Sequence, residues 1–321
     1  MLRIFMGEIM TKQRNRSISK KVYLIVLGIL VTLVVIALGL GAIFYTNLSH
    51  SINKTYESVE RSNVLRKTPV ASDNKEPFSV LLMGIDTGDL GRVEQGRSDT
   101  LMIVTINPMD EQTTIISLPR DTYVEIEGHG TMDKINHAYA FGGTAMAIDT
   151  VQNYLDIPID HYVSINMKGL KELVDLVGGI EVNNRFTFSQ DSYYFSIGKI
   201  SLNGDQALAY SRMRYEDPNG DYGRQERQRK IVEGLVKKIV SFSGVSKYQI
   251  VLKALEENMK TDMNFDEIQK VFFEYHNAFG KIQLDQLKGE GFMKENISYQ
   301  RVANQELERV QKELKNQLNI D

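Results

Sequence analysis

The stretch "LMIVTINPMDEQTTIISL" (101–118) decides the fold, because it holds two short apolar runs with six residues between them. Both runs, 101–106 and 113–118, are partly β-branched, which predicts buried strands. The connection "NPMDEQ" is too short for a parallel crossover, so the two strands should be antiparallel neighbours. The start of the first strand then lies beside the end of the second, at one edge of the sheet.

The segments around this hairpin alternate between strand and helix patterns. Further apolar runs bounded by Gly, Pro or Asp predict strands at "FSVLLMGID" (78–86), "HYVSI" (161–165), "IEVNN" (180–184) and "KIQLDQL" (281–287). Helical periodicity predicts helices at 144–155, at 167–179 with a closing glycine pair, twice between Val245 and the last strand, and at the end of the chain. We expect an α/β fold, a three-layer α-β-α sandwich around a mixed sheet.

Composition restricts the kinds of site that the chain can build. It has 321 residues, a formal net charge of -3 and no cysteine. The charge balance gives no general basic surface for nucleic acid, so recognition of an anion must be local. The lack of cysteine excludes disulfides and thiolate sites, and the five histidines show no metal-ligand spacing. A metal ion would therefore be held by oxygen ligands.

An uncharged run of 24 residues, 22–45, is long enough to cross a bilayer. Basic residues precede it, which places the tail 1–21 in the cytoplasm and the rest of the chain outside. The polar segment 46–76 is typical of a stalk. We expect the folded domain to span 77–321, with a core at 77–242 and a C-terminal extension at 243–321.

Charged residues converge on the edge of the sheet defined above. Arg97 and Asp99 lie where the strand 101–106 is entered, and Arg120 and Asp121 follow the strand 113–118. Asp86 ends the strand 78–86 and joins the same edge if that strand is also antiparallel. Long glycine-rich loops at strand ends, such as 87–96, often carry function.

The segment "GDYGRQERQR" (220–229) brings more arginines to this edge. On a helix beginning near Arg224, Arg224 and Gln228 continue the apolar stripe of positions 231, 235 and 239, whereas Gln225 and Arg229 should face water. A guanidinium that points inward is costly unless it meets an anion. That anion is either a protein carboxylate or a ligand phosphate.

Together these segments predict one candidate site. Its cationic side chains would be Arg97, Arg120, Arg212, Arg214, Arg224 and Arg227, and its carboxylates Asp86, Asp99, Asp121 and Asp221. Lys134 and Asn136 could reach the same edge, although Asn136 could equally cap a helix. Two carboxylates can hold Mg²⁺ while arginines clamp phosphates. The alternative is an internal Arg–Asp network, but the arginines outnumber the carboxylates, which favours a missing anion.

Seven ordered motifs carry a family resemblance: "LLMGIDT", "GRSDTLMIVTINP", "SLPRDT", "KINHAYAFGG", "GLKELVDLVGGIEV", "LNGDQALAYSRMR" and "GDYGRQERQR". In this order behind one anchor they resemble the LytR-CpsA-Psr family of cell-wall glycopolymer ligases, with most similarity to its LytR branch. The resemblance is strong over 78–239 and weak in the tail.

The resemblance implies a single-pass enzyme on the outer face of a Gram-positive cell membrane. It would transfer a phospho-glycopolymer, such as teichoic acid or capsule, from an undecaprenyl pyrophosphate carrier to a peptidoglycan hydroxyl, with a pyrophosphatase side activity. Asp86 and Asp99 would coordinate Mg²⁺. The catalytic residues would be Arg120, Asp99 and Asp121, with either Asp99 or Asp121 as general base. The residues expected to bind the pyrophosphate are Arg97, Arg120, Lys134, Arg212, Arg214, Arg224, Arg227 and Gln228. The lipid would occupy an apolar channel under the sheet.

Two other functions compete with this one. A membrane-anchored transcriptional regulator would need a DNA-binding element in the cytoplasm, and the tail 1–21 contains no helix-turn-helix pattern. A non-catalytic protein that binds polyprenyl phosphates would use the same arginines without turnover. We expect peptidoglycan, the lipid-linked polymer and the membrane as partners, and no nucleic acid.

Overall fold

The computed structural model describes residues 55–61, 64–66, 75–87, 96–241 and 258–320, all within one unit at 51–321. None of the helices in these ranges is both long and apolar enough to cross a membrane. The predicted tail and anchor (1–45) lie outside the described residues, as does most of the first helix predicted after Val245. Their existence stays a prediction.

The described elements are numbered in chain order. The strands are β1 (Phe78–Ile85), β2 (Ser98–Asn107), β3 (Gln112–Leu118), β4 (Tyr123–Ile126), β5 (Thr131–Lys134), β6 (His161–Asn166), β7 (Ile180–Asn184), β8 (Phe188–Gln190), β9 (Tyr193–Phe195), β10 (Gly198–Leu202), β11 (Met259–Thr261), β12 (Lys281–Gln286), β13 (Glu290–Lys294) and β14 (Ile297–Arg301). The α-helices are α1 (His137–Leu155), α2 (Met167–Leu176), α3 (Gly204–Arg212), α4 (Gly220–Val240), α5 (Phe265–Glu274) and α6 (Asn304–Leu318), and a 3-10 helix spans His276–Phe279.

Six strands form a central mixed sheet in the order β11-β6-β1-β2-β3-β12. β1, β2 and β3 are antiparallel neighbours, β6 runs parallel to β1, and β12 runs parallel to β3. The hairpin predicted at 101–118 is confirmed, and Asn107 pairs with Gln112 next to its turn. The Asn107 side-chain oxygen accepts hydrogen bonds from the backbone N–H groups of Met109 and Asp110, which shapes the tight turn. The predicted α/β class with a mixed sheet is confirmed.

Alternating side chains of the sheet are buried on both of its faces. Leu81 and Ile103 face α1 and α6, whereas Phe78, Val80 and Ile106 pack with the segment around the 3-10 helix on the other face. This is the period-two pattern of a sheet that is covered on each side. Each fully buried aliphatic side chain contributes roughly 1.5–3 kcal/mol to this packing.

A second apolar cluster lies beside the sheet and joins α2, α3 and α4 to β7 and β10. The predicted strand 180–184 forms, but it pairs with β10 in a separate two-stranded sheet. The predicted glycine pair closes α2, since Gly178 and Gly179 both have positive φ and their N–H groups donate to carbonyls of the last turn. This cluster positions the start of α4 near the ends of β1 and β6.

Part of the predicted stalk lies against the domain. Arg61 pairs with Asp262 at 2.8 Å, and Arg66 lies 3.4 Å from Asp160. Tyr56 forms a β-bridge with Thr261 at the end of the edge strand. The described residues 55–61 and 64–66 therefore contact the rest of the unit, while the domain limits at 46, 77 and 243 stay predictions.

The C-terminal helix provides a test of pH dependence. Hydrogen bonds from Arg309 lower the pKa of Glu306 below its ordinary 4.5, and the Lys288 N–H donates to the same carboxylate. A carboxylate whose pKa is lower in the folded state stabilises the protein above about pH 4.5, and that contribution is lost as the pH falls through the folded pKa. The variant Glu306→Gln should therefore lose less Tm than the wild type between about pH 6 and about pH 3. Thermal unfolding followed by circular dichroism would contradict this if the two acid slopes were equal.

Candidate functional site

A bulge at the start of β2 brings two carboxylates together. Gly84 pairs with Thr100 and Ile85 with Ser98, so Asp99 is an extra residue in β2. The backbone N–H groups of Asp86 and Asp99 both donate to the Arg97 carbonyl, at 3.1 and 3.0 Å. This shared acceptor fixes the two aspartates as neighbours, and the Arg97 side chain is exposed.

Arg120, at the end of β3, joins two of the predicted carboxylates. Its Nη1 lies 2.9 Å from Asp99 Oδ1, and its Nε lies 3.9 Å from Asp121 Oδ2. Burial acts to lower the pKa of Arg120, but the charge and hydrogen bond of Asp99 outweigh it and the pKa is raised. The β4–β5 hairpin returns Lys134 to the same place, with its Nζ 2.8 Å from Asp121 Oδ1.

The start of α4 adds a cluster with more positive than negative charge. Arg224 Nη2 lies 2.5 Å from Asp221 Oδ1, and Arg214 Nε lies 4.0 Å from the same oxygen. Burial is the largest cause of a lowered pKa at Arg224, and the positive charges of Arg120 and Arg214 lower it further. One carboxylate therefore serves two arginines, and a third arginine is close enough to repel them.

Part of this cluster lines a cleft of about 370 Å³ at the ends of β1, β2 and β6. Its polar lining includes six of the predicted site residues: Asp86, Asp99, Arg212, Arg214, Arg224 and Gln228. Other predicted site residues, including Arg97, Arg120, Asp121 and Lys134, are not among its lining residues. An apolar wall comes from Ile85, Ile165, Met167, Leu170 and Leu208. Arg212 also pairs with Asp191 at 3.0 Å, where both side chains are partly exposed. A cleft lined by both cationic and aliphatic side chains suits an amphipathic anion.

Two guanidinium nitrogens beside this cleft lack a hydrogen-bond acceptor within the described part of the chain. They are the buried Nε atoms of Arg120 and Arg224. A buried donor without an acceptor costs about 1–3 kcal/mol, and more when it is charged. Asp221 Oδ1, which pairs with Arg224 Nη2, also lacks a hydrogen bond among the described residues, so the carboxylates of the cluster do not satisfy the two Nε donors. A bound anion would supply acceptors for them.

Arg227, also predicted to bind the anion, lies elsewhere. Its guanidinium pairs with Asp217 and donates to the backbone carbonyls of Tyr210 and Met213, and its side chain is only 4% exposed. Gly223 makes room for this pair, because a Cβ there would lie 1.9 Å from an oxygen of Asp217. Arg227 is therefore part of an internal Arg–Asp pair, the alternative to anion binding, and not of the candidate site. Sequence reasoning missed Asp217, which precedes the helix in an irregular loop.

The predicted orientation of α4 is half right. Arg224 and Gln228 do point into the cleft, but Gln225 and Arg229 are each 5% exposed and do not face water. Gln225 donates to Asp221, and Arg229 donates to Gln286 at the edge of the central sheet. The apolar stripe does not mark every buried face of α4, because the helix is covered on more than one side, by the β7–β10 sheet and by β3 and β12.

The remaining predicted residue, Asn136, does lie at this edge, because its backbone N–H donates to the Arg120 carbonyl at 3.3 Å. Asn136 precedes α1 and is 3% exposed, but its side chain makes no capping hydrogen bond. Sequence reasoning also missed Thr100, Asn166, Ser211 and Tyr215, which line the cleft. Thr100 and Asn166 border strand ends, a signal that could have identified them.

The donor set at the bulge fits Mg²⁺. Asp86 and Asp99 offer hard carboxylate oxygens, and Mg²⁺ commonly takes one or two protein carboxylates together with substrate phosphates and water. Within the described ranges no group of three or more His, Cys, Asp or Glu side chains could hold a metal by itself. An ion at this position would therefore depend on phosphate oxygens for part of its coordination.

Comparisons with known proteins agree with the motifs. Residues 42–316 match the model of the LytR_cpsA_psr family. An Enterococcus faecalis protein named polyisoprenyl-teichoic acid–peptidoglycan teichoic acid transferase TagU is 64% identical over 301 residues, covering 94% of this chain and 98% of that protein. The Bacillus subtilis protein of the same name is 43% identical over 308 residues, covering 95% and 99%. A crystal structure from Enterococcus faecalis, described as a transcriptional regulator, aligns with a TM-score of 0.72 at 50% identity, covering 79% of this chain and 92% of that one.

Proposed function

Because this chain belongs to the LytR-CpsA-Psr family, we propose that it is a phosphotransferase that moves a glycopolymer of the teichoic acid type from an undecaprenyl pyrophosphate carrier to peptidoglycan. The names of the TagU relatives support the polymer, the polyisoprenyl carrier and the acceptor. The observation that carries the proposal is the pair of buried Nε atoms of Arg120 and Arg224 beside the cleft. A diphosphate provides acceptors for both.

The cleft would bind both the diphosphate and the isoprenoid part of the donor. Arg214, Arg224 and Gln228 would contact phosphate oxygens from the helical side, and Arg120 from the side of the sheet. Bidentate contacts between guanidinium and phosphate fix orientation as well as charge. The apolar wall would receive the first isoprene units, because burying apolar surface stabilises the complex by about 25 cal/mol per Å². Arg97 and Arg212, at exposed positions, would contact the bound phosphates at the rim.

The chemical step is a displacement at phosphorus. The acceptor hydroxyl oxygen would form a bond to the phosphorus that carries the glycopolymer, and the bond from that phosphorus to the bridging oxygen would break. Undecaprenyl phosphate leaves with the bridging oxygen, and the hydroxyl proton passes to one of the two carboxylates beside Arg120, Asp99 or Asp121. Arg120 and Arg224 would stabilise the negative charge that develops on the phosphate oxygens. Water in place of the acceptor would give the pyrophosphatase side activity.

Asp86 and Asp99 would hold Mg²⁺ against the diphosphate. When bound, the ion would neutralise phosphate charge and help the leaving group depart. Transfer should therefore stop when a chelator removes divalent cations and return when Mg²⁺ is added.

The proposal includes the placement of the enzyme. The segment 22–45 would anchor it with the tail 1–21 in the cytoplasm, and a three-layer α-β-α domain would stand on the outer face of a Gram-positive membrane. A lipid-linked donor in that membrane could then enter the cleft by its isoprenoid end.

The test uses the full-length protein in lipid vesicles with a pyrophosphate-linked saccharide and peptidoglycan oligosaccharides. We expect release of polyprenyl monophosphate together with saccharide attached to the acceptor. The exposed variant Lys199→Ala should behave as the wild type. Donor binding without release of polyprenyl phosphate would instead indicate a non-catalytic carrier. Sequence-specific binding of DNA by the tail would favour a regulator, and either result would overturn the proposal.

A further inference from the structure

Three aromatic side chains form a platform beside the candidate site. Tyr123 of β4 and the cross-strand pair Phe292 and Tyr299 of the β13–β14 hairpin make up this aromatic platform, with ring centroids 5.0–5.6 Å apart. The hairpin has a two-residue turn, Glu295 and Asn296, in which both residues have positive φ. Tyr299 is buried, while Tyr123 and Phe292 stay partly exposed. Two of the three rings of the platform are therefore partly accessible.

Short contacts attach the platform to the candidate site. The Gln300 N–H donates to the Asp121 carbonyl at 2.8 Å, and the Tyr222 hydroxyl of α4 lies 2.9 Å from Gln300 Oε1. Lys134 Nζ lies 2.8 Å from Asp121 Oδ1 and 5.6 Å from the centre of the Tyr299 ring. The hairpin is thus fixed to the end of β3 and to the start of α4, the two segments that supply Arg120 and Arg224.

The Arg120 side chain links the cleft to the surroundings of the platform. Arg120 contacts Asp99, which lines the cleft, and Asp121, which pairs with Lys134 toward the platform. Asp121 and Lys134 are not among the described residues that line the cleft. A transferase with two substrates needs two binding regions that meet at the reacting atoms, and this geometry offers them.

The chemistry of the platform fits a glycan. Aromatic faces carry partial negative charge and attract the C–H groups of a sugar ring. Exposed cations lie over two of its rings, with Lys294 Nζ 4.9 Å from the centre of the Tyr123 ring and the Arg301 guanidinium 4.5 Å from that of Phe292. A sugar would stack on these rings by displacing the two exposed side chains, which would then contact its polar groups. Peptidoglycan is a chain of amino sugars that carries carboxylate substituents, so it could use both features.

We propose that the aromatic platform binds the sugar chain of the peptidoglycan acceptor and directs its hydroxyl toward Asp121 and Arg120. The inference rests on the proposed function and adds the location of the acceptor. The simpler alternative is that the three rings only hold the two hairpins together. A variant that keeps the apolar contact but removes the ring distinguishes the two.

The kinetic test compares Phe292→Leu with Met293→Ala in the full-length protein. Met293 is the next residue in β13, is 65% exposed and points to the other face of the hairpin. We expect Phe292→Leu to raise the KM for peptidoglycan oligosaccharides by about tenfold, in the range of an aromatic contact, with donor hydrolysis in the absence of acceptor unchanged. An unchanged acceptor KM would overturn the proposal. If the wild type did not hydrolyse the donor at all, that result would instead count against the proposed function.

A binding test needs no turnover. The chain contains no tryptophan, so Phe292→Trp introduces a single indole fluorophore at the platform, and Met293→Trp provides the matched control. Peptide-free peptidoglycan oligosaccharides should change the emission of the first variant saturably and leave that of the second unchanged. No change at position 292, or an equal change with the free stem peptide, would contradict glycan recognition.

Discussion

Replacing Arg120 by alanine should lower kcat/KM for glycopolymer transfer by about 10²- to 10³-fold, the range found when one donor to a developing oxyanion is removed. Arg120 contacts Asp99, lies near Asp121 and has a buried Nε without a hydrogen-bond acceptor in the described part of the chain. The substitution would remove a phosphate contact and also leave the Asp99 carboxylate without its partner. Steady-state transfer assays on full-length protein in vesicles measure the effect.

Two variants make this result specific. Arg120→Lys keeps the charge but loses the planar fork that matches phosphate, so it should recover only part of the activity. Arg309→Ala removes an exposed arginine in α6, far from the cleft along the chain, and should leave kcat/KM unchanged. Equal activity of Arg120→Ala and the wild type at equal protein levels would rule out Arg120 as a phosphate ligand.

The second large effect concerns stability. Asp217→Ala should lower the free energy of unfolding by about 3–5 kcal/mol, because it leaves the buried Arg227 guanidinium without its counter-charge. Urea unfolding of the full-length protein, followed by circular dichroism, reports the change. Glu233→Ala breaks the more exposed pair with Lys237 and should cost less than about 1 kcal/mol.

The double variant Asp217→Ala with Arg227→Met shows whether the lost stability comes from an unpaired buried charge or from lost packing. If the unpaired guanidinium causes the loss, removing it should restore much of the stability. A double variant as unstable as Asp217→Ala alone would show that the loop 213–219 needs Asp217 for another reason, such as its hydrogen bond to the Asn219 N–H.

The predictable parts of the fold depend on neighbours in the chain. The hairpin at 101–118 and the end of α2 at Gly178 and Gly179 follow from local pattern and turn chemistry, and both are confirmed. The placement of 180–184 outside the central sheet was not predictable, because the choice of a partner strand depends on contacts distant in sequence. The β13–β14 hairpin, which carries two of the three platform rings, is local but was missed, because its turn residues Glu295 and Asn296 lack the glycine that usually marks a two-residue hairpin turn.

The candidate site likewise contains residues whose position the sequence predicts and residues that only the tertiary structure places. Asp99, Arg120 and Asp121 lie at the ends of two strands whose pairing follows from their short connection, so the sequence by itself determined that they share one edge. Asp86 joined this edge only on the condition that β1 is antiparallel to β2, which the structure confirms. Only the tertiary structure decided which arginines of α4 meet the cleft. Arg224 lines the cleft and Arg227 is paired with Asp217, although both were candidates for one site. The reason is physical: strand register follows from short connections, but the environment of each face of a helix depends on every element that packs around it.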